Sequence, residues 1–126
     1  MSDGGTTAGM LAELLRLLDR LDGHMEGHTA DEQERDPKMA ARRLDSACMV
    51  FIALGEQLKR LDRHTGGKLL AKYPGIDWRG CMGQRDVIAH DYARLDPDRI
   101  LTTIRDQAPR LRNGVNLMMV KDEVSW

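Results

Sequence analysis

Leu11, Leu14, Leu15, Leu18 and Leu21 recur at three- and four-residue steps, which lays one apolar stripe along a helix that starts near Ala8. Asp22-Gly23 reads as its end, followed by a polar, acidic linker over 23–36. Asp36-Pro37 marks the next start: a carboxylate for the free N–H groups of the first turn, and a proline where no N–H is needed. Leu44, Ala47, Cys48, Phe51, Gly55, Leu58 and Leu61 then trace a long amphipathic face. His64-Thr65-Gly66-Gly67 stops it, since glycine accepts the left-handed cap. A short helix over 68–73 precedes the Pro74-Gly75 turn, and Asp77 is placed to cap a fourth helix from 78 to about 90. Asp96-Pro97 repeats the cap-and-proline device for a fifth, with Ile100, Leu101 and Ile104 on its apolar side. Pro109 is expected to kink or restart that helix before Leu111, Val115 and Met118 continue the stripe. No period-two run of useful length occurs. The pattern predicts an all-α antiparallel helical bundle of about five helices. It forms one domain over residues 8–120, with a disordered start over 1–7 and a tail over 121–126.

Composition narrows the class. The 126 residues are 41% hydrophobic and 31% charged, and only 4% aromatic, which disfavours an all-β domain. Mean hydropathy is -0.49, and no apolar run reaches the roughly 18 residues of a membrane span. Met1-Ser2-Asp3-Gly4-Gly5 lacks the basic start and apolar stretch of a secretory leader, so the expected location is the cytoplasm. Cys48 and Cys81 then read as free thiols, with Cys48 a small core residue. Net charge is -1, but it is unevenly spread: residues 1–36 carry nine acids and three bases, and the rest sixteen bases and eleven acids. A functional basic face and an ordinary mixed surface fit that distribution equally well.

His24, Glu26 and His28 raise the question of a metal. The order is His-x-Glu-x-His, interrupted by Gly27 and without a further ligand nearby, so a solvated loop is the better reading and no metal is expected. Gly66-Gly67-Lys68 lacks the spacing and preceding strand of a phosphate-binding loop, and nothing else calls for a cofactor. The segment from Met82 to Tyr92 stands apart. It gathers Arg85, His90 and Tyr92 at the end of a helix, with Val87 and Ile88 as an apolar anchor. On an ideal helix Arg85 and Tyr92 fall within about 20° of one another, whereas His90 lies about 140° from Arg85. The three converge only if the helix ends or distorts near His90, or if a second subunit contributes. The alternative is an Arg85–Asp86 pair with a buried histidine and tyrosine that pin helix packing.

From about residue 40 to 111 the chain resembles the HepT-like branch of the HEPN superfamily, the toxin halves of HEPN–nucleotidyltransferase pairs. The likeness rests on Ala53-Leu54-Gly55-Glu56, on Tyr73-Pro74-Gly75-Ile76-Asp77-Trp78, and on Gly83-Gln84-Arg85-Asp86-Val87-Ile88-Ala89-His90-Asp91-Tyr92. Asp96 and Pro109 fall where the family's last helix begins and bends. Gln84 stands where the family usually has methionine, and Asp86 where asparagine is more frequent. The resemblance implies a homodimeric, metal-independent endoribonuclease of a type VII toxin–antitoxin system, with RNA as substrate and a composite site at the dimer cleft. In that reading His90 is the general acid or base and Arg85 the transition-state clamp, with Asp86 and Glu56 in support. Tyr92 is the residue that a cognate nucleotidyltransferase antitoxin modifies with AMP to silence the toxin. A different class of reading is a non-catalytic helical module that binds such a nucleotidyltransferase.

Overall fold

The computed structural model describes residues 5–26, 34–94 and 96–121. Helix α1 (Thr7–Met25) opens where Thr6 Oγ1 accepts the Gly9 N–H at 2.9 Å, so its first turn reaches into the stretch expected to be disordered. At its other end α1 passes the expected stop at Gly23 and closes with the Glu26 N–H on Asp22 O at 2.8 Å. Glycine ends a helix by entering the left-handed region, as Gly66 and Gly67 do at φ 63° and 74°. Gly23 does not enter it, and so costs only helix propensity, about 1 kcal/mol.

Helix α2 (Pro37–His64) starts as expected, with Asp36 Oδ1 accepting from Met39 N–H at 3.1 Å. The two left-handed glycines lead into α3 (Lys68–Ala71), shorter than the pattern predicts. Helix α4 (Trp78–Asp91) is capped by Asp77 Oδ1, which accepts the Gly80 N–H at 2.9 Å, and a 3-10 turn (Tyr92–Arg94) follows it. Helix α5 (Pro97–Lys121) runs unbroken through Pro109 and is not restarted there. The proline removes one N–H from the ladder, while Ile104, Ala108, Leu111, Val115 and Met118 stay buried on both sides of it. Packing on both flanks carries the helix across the missing rung.

No strand occurs among the described residues. Helix α2 is the hub and touches α1, α3, α4 and α5. Gln57 near its end donates to Met10 O at 3.3 Å, and Arg43 near its start donates to Glu26 O at 3.1 Å, which makes α1 and α2 antiparallel. Phe51, Leu54, Leu58 and Leu61 fill the centre against Leu11, Leu14, Leu18 and Leu21. Leu17 joins that stripe, whereas Leu15 is only partly buried. From α4 the core takes Trp78, Cys81 and Ile88; Val87, expected to share the anchoring, is 43% exposed. A regular helix turns by about 100° per residue, and with Ile88 fully buried that turn carries Val87 off the narrow inward face of α4.

Two glycines set how close the helices come. A Cβ on Gly114 of α5 would stand 2.7 Å from Trp78 Cη2, so the indole lies directly on the α5 backbone while its Nε1 donates to Tyr73 O at 3.1 Å. A Cβ on Gly55 of α2 would stand 2.6 Å from Arg85 Cγ and nearer still to its Cβ. That side-chain stem cannot swing aside, because its Cβ is fixed by the α4 backbone. Two alanine substitutions should therefore act with opposite signs. Gly23→Ala, with nothing within 4 Å of the new methyl, should gain up to about 1 kcal/mol from helix propensity. Gly55→Ala should lose about 1–3 kcal/mol through overpacking despite the same propensity gain. Thermal unfolding followed by circular dichroism measures both, and equal stabilisation by the two would refute the close approach at Gly55.

Candidate active site

The gap at Gly55 places the two halves of the site. On α2, Glu56 and Lys59 lie three residues apart and so share a face beside that gap. On α4, Arg85 lays its stem on Gly55, and its guanidinium reaches both the next α2 residue and its own neighbour. Arg85 Nε is 2.7 Å from Glu56 Oε1, and Arg85 Nη1 donates to Asp86 Oδ1 at 2.9 Å. Lys59 Nζ donates to the same Asp86 oxygen, also at 2.9 Å. The Nε contact is an ion pair and not a hydrogen bond: Nε is buried without a hydrogen-bond partner, so the carboxylate lies close but off the N–H axis. Charges alternate along the chain Glu56, Arg85, Asp86, Lys59, and cancel.

These groups are half-open to solvent. The Arg85 side chain is 23% exposed and Asp86 45%. At such exposure each pair adds little to stability, so the network matters for what it presents. Hydrogen bonds from Lys59 first, and then from Arg85, hold the Asp86 carboxyl below the usual carboxylate range. It stays ionised at any working pH.

His90 is placed differently. Helix α4 stays regular through Asp91, so it neither ends nor distorts before His90. Arg85 faces α2, and His90, about 140° round the helix, is exposed in the last turn. The buried-histidine alternative is thus removed for His90. Tyr92 opens the 3-10 turn directly after α4, and its side chain lies outside the described residues. Arg85, Asp86 and Glu56 come together within the chain; His90 lies about 140° round the helix from Arg85, but one turn beyond Asp86 and about 40° from it. Lys59 was not foreseen from sequence. Its i+3 spacing from Glu56 was visible, but nothing local announced that α4 would cross there.

Of the earlier metal candidates, His24 and Glu26 sit at the end of α1, and His28 lies outside the described residues. Among the described residues no group of three or more His, Cys, Asp or Glu could hold a metal ion. A shallow groove of about 460 Å³ between α1 and α2 borders Glu56 and brings Arg16 and Arg60 to the same side. No described helix is long and apolar enough to cross a membrane.

The family model described as HepT-like, Ribonuclease HepT-like, matches residues 14–118. That span contains α2, α3 and α4 whole, together with Glu56, Lys59, Arg85, Asp86, His90 and Tyr92. No solved structure matches.

Cys81 lies one turn before Arg85 and could be mistaken for part of the site. Burial first, and then the charge of Asp77, push its thiol up to about 12; burial and then Asp45 push Cys48 up to about 11. Only a thiolate attacks an electrophile. Both cysteines should therefore resist iodoacetamide at pH 8 in the native protein and react only on unfolding. The raised values also favour the fold while the thiols are neutral. That contribution is whole below the ordinary 9.0 and is lost as pH rises towards 11 and 12. Alkylation of either native thiol at pH 8, read by intact mass, would overturn the assignment.

Proposed function

The chain belongs to the HepT-like ribonuclease family, and from that premise we propose that it is a metal-independent endoribonuclease toxin whose active site is completed by a second copy of the chain. RNA carries its own nucleophile in the 2′-OH, so the protein must supply proton transfer and a cation for the phosphorane. Imidazole titrates near neutrality and suits the first task. A guanidinium is always charged, and its fork matches phosphate oxygens, which suits the second. His90 is the proton carrier and Arg85 the clamp. The observation that carries this reading is that Arg85 is held in a fixed place beside Gly55, while His90 is exposed on the far side of one regular helix. Two copies meeting over α4 would bring two imidazoles to one cleft, one as base for the 2′-OH and one as acid for the 5′-oxygen leaving group.

Control follows from the same segment. A nucleotidyltransferase partner transfers AMP to Tyr92: the phenol oxygen attacks the α-phosphorus of ATP, pyrophosphate leaves, and the phenol proton goes to solvent. The added phosphate and nucleoside close the site to RNA by bulk and by charge. One observation favours the other reading, a non-catalytic module that only binds such a partner. Two carboxylates, Glu56 and Asp86, already sit on Arg85 and offset its charge.

Purified protein incubated with structured and unstructured RNA decides between them. His90→Ala and Arg85→Ala should each lower cleavage by roughly 100-fold or more. His90→Ala should shift stability by no more than about 0.5 kcal/mol, as expected of an exposed position. Cleavage should persist in EDTA, and sedimentation should give a dimer. Loss of activity on chelation with recovery on adding a divalent ion would sink the metal-free mechanism; no cleavage by the intact chain would favour the binding module. With ATP, Mg²⁺ and the nucleotidyltransferase, mass should rise in steps of one AMP, and Tyr92→Phe should abolish the rise. Peptide mapping that found AMP on Tyr73 would remove Tyr92 from this role.

A further inference from the structure

Asp86 poses a problem for an arginine that must receive RNA phosphate. With Glu56 and Asp86 both against it, Arg85 sits in a cluster that would carry a net negative charge and repel a phosphodiester. The carboxyl of Asp86 cannot relieve this by protonation, since it is held below the usual range. A second cation relieves it instead. Lys59 and Arg85 donate to the same atom, Asp86 Oδ1, each at 2.9 Å. One carboxylate oxygen is thereby divided between two cations, and Lys59 takes a share of charge that would otherwise rest wholly on Arg85.

We propose that Lys59 is a positioning residue for the active-site arginine: it holds Asp86 from α2 and so keeps the Arg85 guanidinium available to an RNA phosphate. This rests on the ribonuclease reading, which is what brings an RNA phosphate to Arg85. Lys59 lies on the hub helix beside Glu56, and its side chain is 29% exposed, so its ammonium is anchored at the edge of the site rather than sent freely into solvent. Exposed pairs of this kind contribute little to stability, and the location beside the clamp gives the pair its consequence. Lys59 acts through Asp86, and removing Asp86's charge should remove the need for it.

The test is a double-mutant cycle with two readouts. The first is affinity for a 2′-O-methyl RNA oligonucleotide, which lacks the nucleophile and cannot be cut. The second is kcat and KM on the unmodified RNA. Lys59→Met should weaken both binding and kcat/KM about tenfold at low salt, an effect that fades as salt screens the site. Asp86→Asn should bind as tightly as the parent or tighter. The double variant should return to within about threefold of Asp86→Asn, and Lys59→Arg should behave as the parent. A double variant as weak as Lys59→Met would mean that Lys59 contacts RNA directly, and an unchanged Lys59→Met would mean that it has no role; either overturns the proposal. A parent chain that shows this binding cycle but cuts nothing sinks the ribonuclease reading alone. One that cuts RNA with additive effects sinks the Lys59 proposal alone, and one that binds no RNA sinks both.

Discussion

A single absent methyl group, at Gly55, sets where Arg85 meets Glu56 on the hub helix. Packed helices ordinarily keep their axes 8–10 Å apart, at a distance fixed by the side chains between them. Here α4 comes down on α2 where α2 has no side chain, and the stem of Arg85 occupies the space. Burial of Trp78, Cys81 and Ile88 along the same helix supplies the force that holds it there. Once that contact is fixed, the next α2 residue must be the one nearest the guanidinium, and the residue a turn later must be the one nearest Asp86. Glu56 and Lys59 occupy those positions. Fold and site are coupled at one atom's width.

The site's electrostatics follow from that crossing and not from the net charge of the chain. A formal charge of -1 conceals a row in which each charge faces its opposite. Such a row is nearly neutral at long range and strongly structured at short range. In the proposed ribonuclease such a row would steer a polyanion weakly and act on a phosphate only at short range. At Arg85 Nε, Glu56 supplies charge without a hydrogen bond, and the one hydrogen bond in the pair of contacts runs from Nη1 to Asp86.

How much of this was legible in the chain divides by range. The caps at Asp36 and Asp77, the glycine stop after His64 and the leucine stripes could be read because each acts within a few residues of itself. The misreadings share one cause. Gly23 carries a local signal for a stop and Pro109 one for a kink or a restart, but the stop and the restart depend on backbone region and on flanking burial, and neither occurs. Val87 beside Ile88 looked like an anchor, but the helical phase sets them about 100° apart and leaves Val87 exposed. Glu56, Arg85 and Asp86 were found by motif and resemblance, and the structure joins them in one network. Lys59 belonged to no motif. Its meaning exists only where two helices cross, and no spacing along one of them encodes that.

The helical phase also bears on the proposal that a second chain completes the site. Taking Arg85 as zero, Cys81 and Ile88 fall at about -40° and -60°, and Trp78 at about +20°, so the inward face is centred close to Arg85 itself. Gly83, Val87 and His90 fall at about 160°, 200° and 140°, together on the opposite side. Rotating α4 to bring His90 round to the side of Arg85 would expose Ile88 and Trp78, which are buried there. The separation is therefore built into the core. What the outward side offers is a histidine beside an exposed valine, with Asp86 one turn before it and, two turns back, a glycine with open space where its Cβ would be. Small and apolar neighbours let another protein surface come close, and a histidine among them would be desolvated on contact. In the proposed dimer, the face that the monomer leaves bare is the one that carries the proton transfer.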